Sequence, residues 1–241
     1  MNQVLEEILK SGFVQSTDGD LIKLDSNVTL EEGNFLSEII AQIKPKGTLE
    51  IGLANGISAL FICEAIKKIP HRHHHIIVDP NQNSEWRGSG LCSLRRAGFE
   101  KIIKFFEEPS QTVLPYLETM GVKVDFAFVD GWHTFDHTLV DFFYIDKLLN
   151  VGGVVVFDDS NWPSIRKVIK FILKNRSYDI YSFLRNNELQ YYPTSSTLSE
   201  MFRKLKFVLR NVNCFGLQVS SCVAVRKNGE DDRRWDYHRN F

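Results

Sequence analysis

The sequence predicts an α/β fold: a seven-stranded sheet, mostly parallel with an antiparallel last strand, carrying helices on both faces. Three observations predict it. Short, apolar, β-branched runs alternate with longer segments of helical periodicity, the pattern of repeated βαβ units. Residues 49–56, Leu-Glu-Ile-Gly-Leu-Ala-Asn-Gly, pass from a buried strand through a small-residue turn straight into a helix. Acids close three of the apolar runs, at Asp79, Asp130 and Asp158.

At 241 residues the chain suits one large α/β domain with short extensions. We divide it into a helical N-terminal extension (1–28), the α/β domain (29–226) and a polar tail (227–241). A net charge of -1 gives no overall basic field, so neither nucleic acid nor an anionic membrane is an expected partner. No apolar run is long enough to span a bilayer, and the start lacks the basic and apolar regions of a signal peptide. The cysteines, Cys63, Cys92, Cys214 and Cys222, are widely spaced and read as reduced thiols, which gives a cytoplasmic location by default. Assembly is open, a homodimer being one option.

The elements follow in order. Residues 2–10 form a short helix and the segment to 28 is irregular. Thr29, three before Glu32, opens a capping box. The helix behind it buries Phe35, Leu36, Ile39, Ile40 and Ile43 and stops at Pro45-Lys46-Gly47. Strand 48–51 comes next, and Gly52, Ala54 and Gly56 then remove side-chain bulk where backbone can approach a ligand. Ile57, Leu60, Phe61, Ala65, Ile66 and Ile69 mark the first crossover helix. Strand 76–79, a helix at 91–98, strand 101–106 and a helix at 110–120 follow. Strand 124–130 is apolar on both faces. A helix then runs to 148, residues 150–153 turn, and strand 154–157 ends in Asp158-Asp159. Pro163 opens a helix to 175. Beyond it we expect strands at 178–184, 188–192 and 215–226 and a basic amphipathic helix at 197–212.

A strand, a glycine turn and a helix N-terminus form a nucleotide-shaped pocket at the carboxyl edge of a Rossmann-like sheet. The dinucleotide fingerprint G-x-G-x-x-G is absent, because Ala54 and Ile57 stand where glycines belong. Glu50 is poor company for a pyrophosphate and suits a cationic ligand. Asp79 can accept hydrogen bonds from ribose hydroxyls, or cap a turn. Trp86 can shield a base. His71 to His75 is a candidate metal cluster or a solvated loop entering a strand. Asp130, Asp158 and Asp159 converge from neighbouring strand ends, and their mutual repulsion calls for a divalent ion such as Mg²⁺. Trp132, Trp162, Tyr191, Tyr192 and Trp235 are candidates to hold a ring or a sugar.

The form Glu50-x-Gly52-x-x-x-Gly56 resembles the first motif of class I methyltransferases, which bind S-adenosylmethionine. Together with Glu31-x-Gly33-x-Phe35-Leu36, Asp130-Gly131-Trp132-His133, Gly152-Gly153 and Asp158 to Trp162, the chain is similar to cation-dependent O-methyltransferases of the catechol and caffeoyl-coenzyme A type over residues 29–165. Asp130-Gly-x-His133 also resembles bacterial methyltransferases of sugars and antibiotics. The resemblance implies methyl transfer to a hydroxyl of a small-molecule acceptor, cofactor contacts at Glu50, Gly52, Ala54, Gly56, Ser58, Asp79, Glu108, Ser110 and Asp130, and a metal at Asp130, Asp158 and Asp159. The third metal position is asparagine in that family and aspartate here. The family's basic lysine is replaced by His133, the expected catalytic base, with His137 in reserve. An NAD-dependent oxidoreductase and a non-catalytic nucleoside-binding protein are the alternatives.

Overall fold

A computed structural model describes residues 2–70, 73–185, 188–191, 220–237 and 239–241. The expected helix at 197–212, the first half of the expected strand at 215–226, and Tyr192 lie outside them.

The chain opens with α1 (Gln3–Ser11), capped by the Asn2 side chain on the Val4 N–H. A hairpin follows, β1 (Phe13–Gln15) and β2 (Leu21–Lys23), in a stretch expected to be irregular. Its turn is Thr17-Asp18-Gly19-Asp20, with Gly19 at φ 91°. Next come α2 (Leu30–Ile43), β3 (Gly47–Ile51), α3 (Ile57–Lys67), β4 (His74–Val78), α4 (Ser89–Arg96), β5 (Ile103–Phe106) and α5 (Ser110–Thr119). The chain continues through β6 (Val124–Val129), α6 (Phe135–Leu148), β7 (Leu149–Phe157), α7 (Pro163–Asn175), β8 (Tyr178–Arg185), β9 (Glu188–Tyr191) and β10 (Ser220–Lys227). The capping box of α2 is formed, with Thr29 and Glu32 each holding the other's backbone N–H.

The large sheet has the order β5-β4-β3-β6-β7-β10-β8-β9. β3 to β7 pair in parallel, and β10 runs antiparallel between β7 and β8. The first seven strands of that order make the expected mixed sheet, and β9 adds a short edge strand by pairing with β8. Side chains alternate between two cores, as a period of two requires. On β6, Phe126 and Phe128 face the core under α1 to α4, while Ala127 and Val129 face the core under α5 to α7. β7 starts earlier than its apolar run, because residues 150–153 are a bulge rather than a turn. The register jumps from Val124↔Leu149 to Phe126↔Val154, and Gly152 takes φ 90° to absorb it.

The residues past β10 are anchored. The Asn228 N–H donates to the Ser177 carbonyl, Arg176 pairs with Asp231, and the buried Lys227 ammonium donates to the carbonyls of Asp146 and Leu149.

Candidate active site

Four residues stand one rung beyond four parallel strands, each held by its own N–H. Asp79 donates to the Phe106 carbonyl (3.1 Å), Gly52 to Val78 (2.9 Å), Asp130 to Ile51 (2.9 Å) and Asp158 to Val129 (3.1 Å). The sheet therefore fixes their order along its carboxyl edge, where open α/β sheets bind ligands. A cavity of about 460 Å³ opens there, within the range of cofactor sites. Of the expected cofactor contacts, Gly52, Ala54, Asp79, Ser110 and Asp130 line it, with Trp86, Gln111, Trp132 and His137 beside them.

Asp79 is 4 % exposed and already well used. Its Oδ2 accepts from the N–H groups of Leu53 and Ala54, both at 2.9 Å, and from Gln82 at 3.2 Å. Its Oδ1 accepts from the Asn81 N–H at 2.8 Å and keeps a lone pair for one more donor. Trp86 is placed by a contact that local sequence does not reveal. The Thr17 hydroxyl donates to the Arg87 carbonyl (2.7 Å) and the Arg87 guanidinium donates to Asp20 (2.5 Å), so the N-terminal hairpin holds the loop over the cavity.

Four expected contacts do not line the cavity, and each has a physical reason. Glu50 is fully buried; its Oε2 meets His75 Nε2 at 2.8 Å and its Oε1 accepts from the Ser58 hydroxyl. Strand alternation turns Glu50 into the sheet rather than toward a ligand, and Ser58 is spent on it. Gly56 takes φ 81° at the start of α3, where an added Cβ would meet the Gly90 backbone at 2.9 Å. Glu108 is exposed beyond β5. Two of the described histidines of the run are likewise occupied: His73 lies within 3.1 Å of the Pro45 carbonyl and 3.0 Å of the Ile69 carbonyl, and His75 is paired with Glu50. Trp235 is 94 % exposed.

Next to the cavity the acids gather around a histidine. His133 Nε2 lies 3.3 Å from Asp130 Oδ1 and 3.2 Å from Asp159 Oδ2 and makes a hydrogen bond to neither. Asp159 reaches it from a left-handed backbone, φ 46°. The Asp130 carboxylate beside it holds the imidazole above its ordinary value against the opposing effect of burial. Burial pushes Asp130 up to about 6, with His133 opposing and Glu50 and Asp159 adding to the rise. Asp158 is held well above the carboxylate range by burial first, then by Asp130 and Glu32. Its Oδ1 accepts from Cys222 Sγ at 3.0 Å. Among the described residues, the group of three that draws ligand atoms within 4.8 Å of one another is Glu32, Asp158 and Cys222, not the expected three aspartates. Glu32 and Cys222 carry no local signal for this, since one also caps α2 and the other is a core residue of β10. Trp162 tilts over His133 with ring centroids 5.4 Å apart, and Trp132, 64 % exposed, stands on the other side of it in sequence.

Residues 49–160 match a family described as a methyltransferase domain. The flavonoid 3',5'-methyltransferase of Vitis vinifera is 31% identical over 143 residues, covering 56% of this chain and 56% of that protein. The caffeoyl-CoA O-methyltransferase of Medicago sativa is 33% identical over 140 residues, 55% of this chain and 52% of that protein. The chain thus spans about half the length of these curated relatives. The O-methyltransferase TomG of Streptomyces achromogenes, solved in complex with SAM, superposes with a TM-score of 0.64 at 17% identity, over 95% of this chain and 91% of that one. The match to a methyltransferase domain thus covers the strands and turns that build the cavity, and the whole chain shares its fold with that solved O-methyltransferase.

Proposed function

We propose that the protein transfers a methyl group from S-adenosylmethionine to a hydroxyl of a small-molecule acceptor. The observation that carries this is the charge of the cavity. Its described lining holds three carboxylates, Asp79, Glu85 and Asp130, and no lysine or arginine. Such a lining opposes a pyrophosphate and favours a cation, and the free lone pair of Asp79 Oδ1 suits a ribose hydroxyl. S-adenosylmethionine supplies an electrophilic methyl on a positively charged sulfur. The names of the relatives, a flavonoid and a caffeoyl-CoA methyltransferase, support a phenolic acceptor, and the exposed faces of Trp132 and Trp162 suit a ring.

In this reading His133 takes the proton from the acceptor hydroxyl. Asp130 and Asp159 orient its imidazole and stabilise the imidazolium that results. Trp162 packs on the ring and limits its motion. The raised carboxyl groups of Asp130, Asp158 and Asp159 are an electrostatic deficit that a hard cation relieves, so the donor set fits Mg²⁺ in its chemistry. When bound there, the ion supplies Lewis acidity that makes a neighbouring hydroxyl more acidic.

Calorimetry with S-adenosylhomocysteine and with NAD tests the cofactor. Heat from the first and none from the second is the expected result; tight association of the dinucleotide alone overturns it.

A further inference from the structure

The loop that brings Glu85 and Trp86 into the cavity wall is firm at its base and weakly held at its tip. At the base the Gly88 N–H donates to the Gln82 carbonyl at 2.7 Å, and both residues are buried. The Gln82 amide also donates to the Ala54 carbonyl (2.8 Å) and to Asp79 (3.2 Å). Within the loop the Glu85 and Trp86 N–H groups donate to the Asn81 carbonyl, so residues 82–88 form one compact flap. The tip is held from outside, at exposed contacts. On one side Asn83 donates through its N–H and its amide to Glu107, just past β5 (2.8 and 2.6 Å). On the other side the Arg87 guanidinium reaches Asp20 (2.5 Å) and Asp18 (3.5 Å), and the Arg87 carbonyl accepts from the N–H and hydroxyl of Thr17. The hairpin that carries those partners is a fixed post, with Val14 and Ser16 buried and the Ser16 N–H donating to the Asp20 carbonyl. Its grip is weak by contrast. The three charged side chains are 46–75 % exposed, and such pairs contribute little and are screened by salt. Arg87 is also held at φ 50°, a strained backbone that release would relax.

We infer that the flap tip, residues 83–87, is the gate through which the cofactor exchanges, and that the pairing of Arg87 with the β1–β2 hairpin is its latch. This rests on the S-adenosylmethionine reading above. Thr17, Asp18, Asp20 and Arg87 stand outside the described lining of the cavity, so the latch joins two parts of the protein and touches no ligand. It therefore holds the flap shut whether the cavity is filled or empty. A contact that does not distinguish the two states cannot shift the equilibrium between them. It sets only how often the gate opens, so loosening it speeds entry and exit by the same factor. The N-terminal hairpin thereby governs how fast the cofactor and its spent product exchange, and salt modulates that rate.

The test is stopped-flow binding of S-adenosylhomocysteine, which at neutral pH carries no net charge and is little steered by salt. Arg87→Gln should raise the association and dissociation rates together by about three- to fivefold and leave Kd within about twofold. Asp20→Asn should do the same to a lesser degree, and the double variant should be no faster than Arg87→Gln alone, as expected of one shared contact. Raising salt to about 1 M, where the screening length falls to about 3 Å, should accelerate wild type toward Arg87→Gln and leave that variant unmoved. Rates that ignore Arg87→Gln overturn the inference. So does a faster dissociation with unchanged association, since the flap would then shape the bound site rather than gate it. Additive effects of Arg87→Gln and Asp20→Asn overturn the latch. Failure of wild type to bind S-adenosylhomocysteine at all removes the cofactor reading itself, and the inference with it. Both substituted side chains are exposed, and thermal melting reports that the variants are folded.

Discussion

A methyl group on Gly52 would collide with the main-chain carbonyl of Asp130. Gly52 also holds φ 90°, a conformation that a side chain resists. Two costs therefore coincide at the turn that forms the cavity floor. Gly52→Ala is expected to lose roughly 3–5 kcal/mol, from backbone strain plus a clash with main chain that cannot swing aside. Gly12 separates the two effects, since it has φ 72° and open space where a methyl group would sit. Gly12→Ala should cost only about 1 kcal/mol, the strain alone. Urea unfolding of both variants checks this, and equal losses would show that the contact with Asp130 is unimportant.

Glu50 and His75 make the second relationship that local sequence conceals. Both side chains are fully buried, 2.8 Å apart, with Ser58 on the other Glu50 oxygen and Thr48 on the other ring nitrogen at 2.9 Å. Glu50→Ala strands His75 and Ser58 without partners and should destabilise the fold by about 3–5 kcal/mol. Because Glu50 does not line the cavity, the folded variant should bind S-adenosylhomocysteine within about threefold of wild type. Chemical denaturation and calorimetry on the same preparation separate the two effects. A large loss of affinity with stability intact would return Glu50 to the cofactor.

What is legible in the sequence and what is not divides along sequence distance. The parallel core can be read because each strand is an apolar run closed by an acid or glycine, and the sheet lines those ends up with no further information. The β1–β2 hairpin escapes such a reading because three-residue strands carry too little pattern, although Asp18-Gly19 marks its turn. Glu50 misleads because an acid before a glycine turn looks the same whether it faces a ligand or a buried histidine 25 residues on. Cys222 reaches Asp158 across 64 residues only because β10 inserts between β7 and β8, a topological fact no local window contains.

His133 carries the proton-transfer part of the proposal. His133→Ala should lower kcat by about 10²–10⁴, the usual yield of a positioned base. Its side chain lies outside the described lining of the cavity, so affinity for S-adenosylhomocysteine should hold within about threefold. Steady-state kinetics with calorimetry reads both. An unchanged kcat moves the role to His137, which does line the cavity.

The cation is tested by removal. Chelation with EDTA should slow wild-type methyl transfer by at least about tenfold, with Mg²⁺ restoring it. Asp158→Ala should be slow throughout and gain nothing from Mg²⁺. A wild-type rate indifferent to chelation would assign the positive charge between Asp130 and Asp159 to protonated His133 instead, since its Nε2 already lies within 3.3 Å of both acids.

Asp141 makes a prediction about stability and pH that is independent of any ligand. Burial lifts its carboxyl from the ordinary 3.8 to about 6, with the Ser110 hydroxyl and the His137 charge opposing the rise. Between those two values the folded protein retains a proton that the unfolded chain has released. Stability therefore falls as pH climbs through that window, and the full penalty is in place above about pH 6. Asp141→Asn has no proton to lose, so its advantage over wild type should be absent near pH 4, grow with pH and level off above about pH 6, reaching at most about 3 kcal/mol. Other acids titrate over the same range but are common to both proteins and cancel in the difference. Urea melts of the pair across this range read that difference directly. A gap that does not change with pH would mean that Asp141 is not ionising against its burial, and that the cost of its buried, unpartnered Oδ1 is met in some other way.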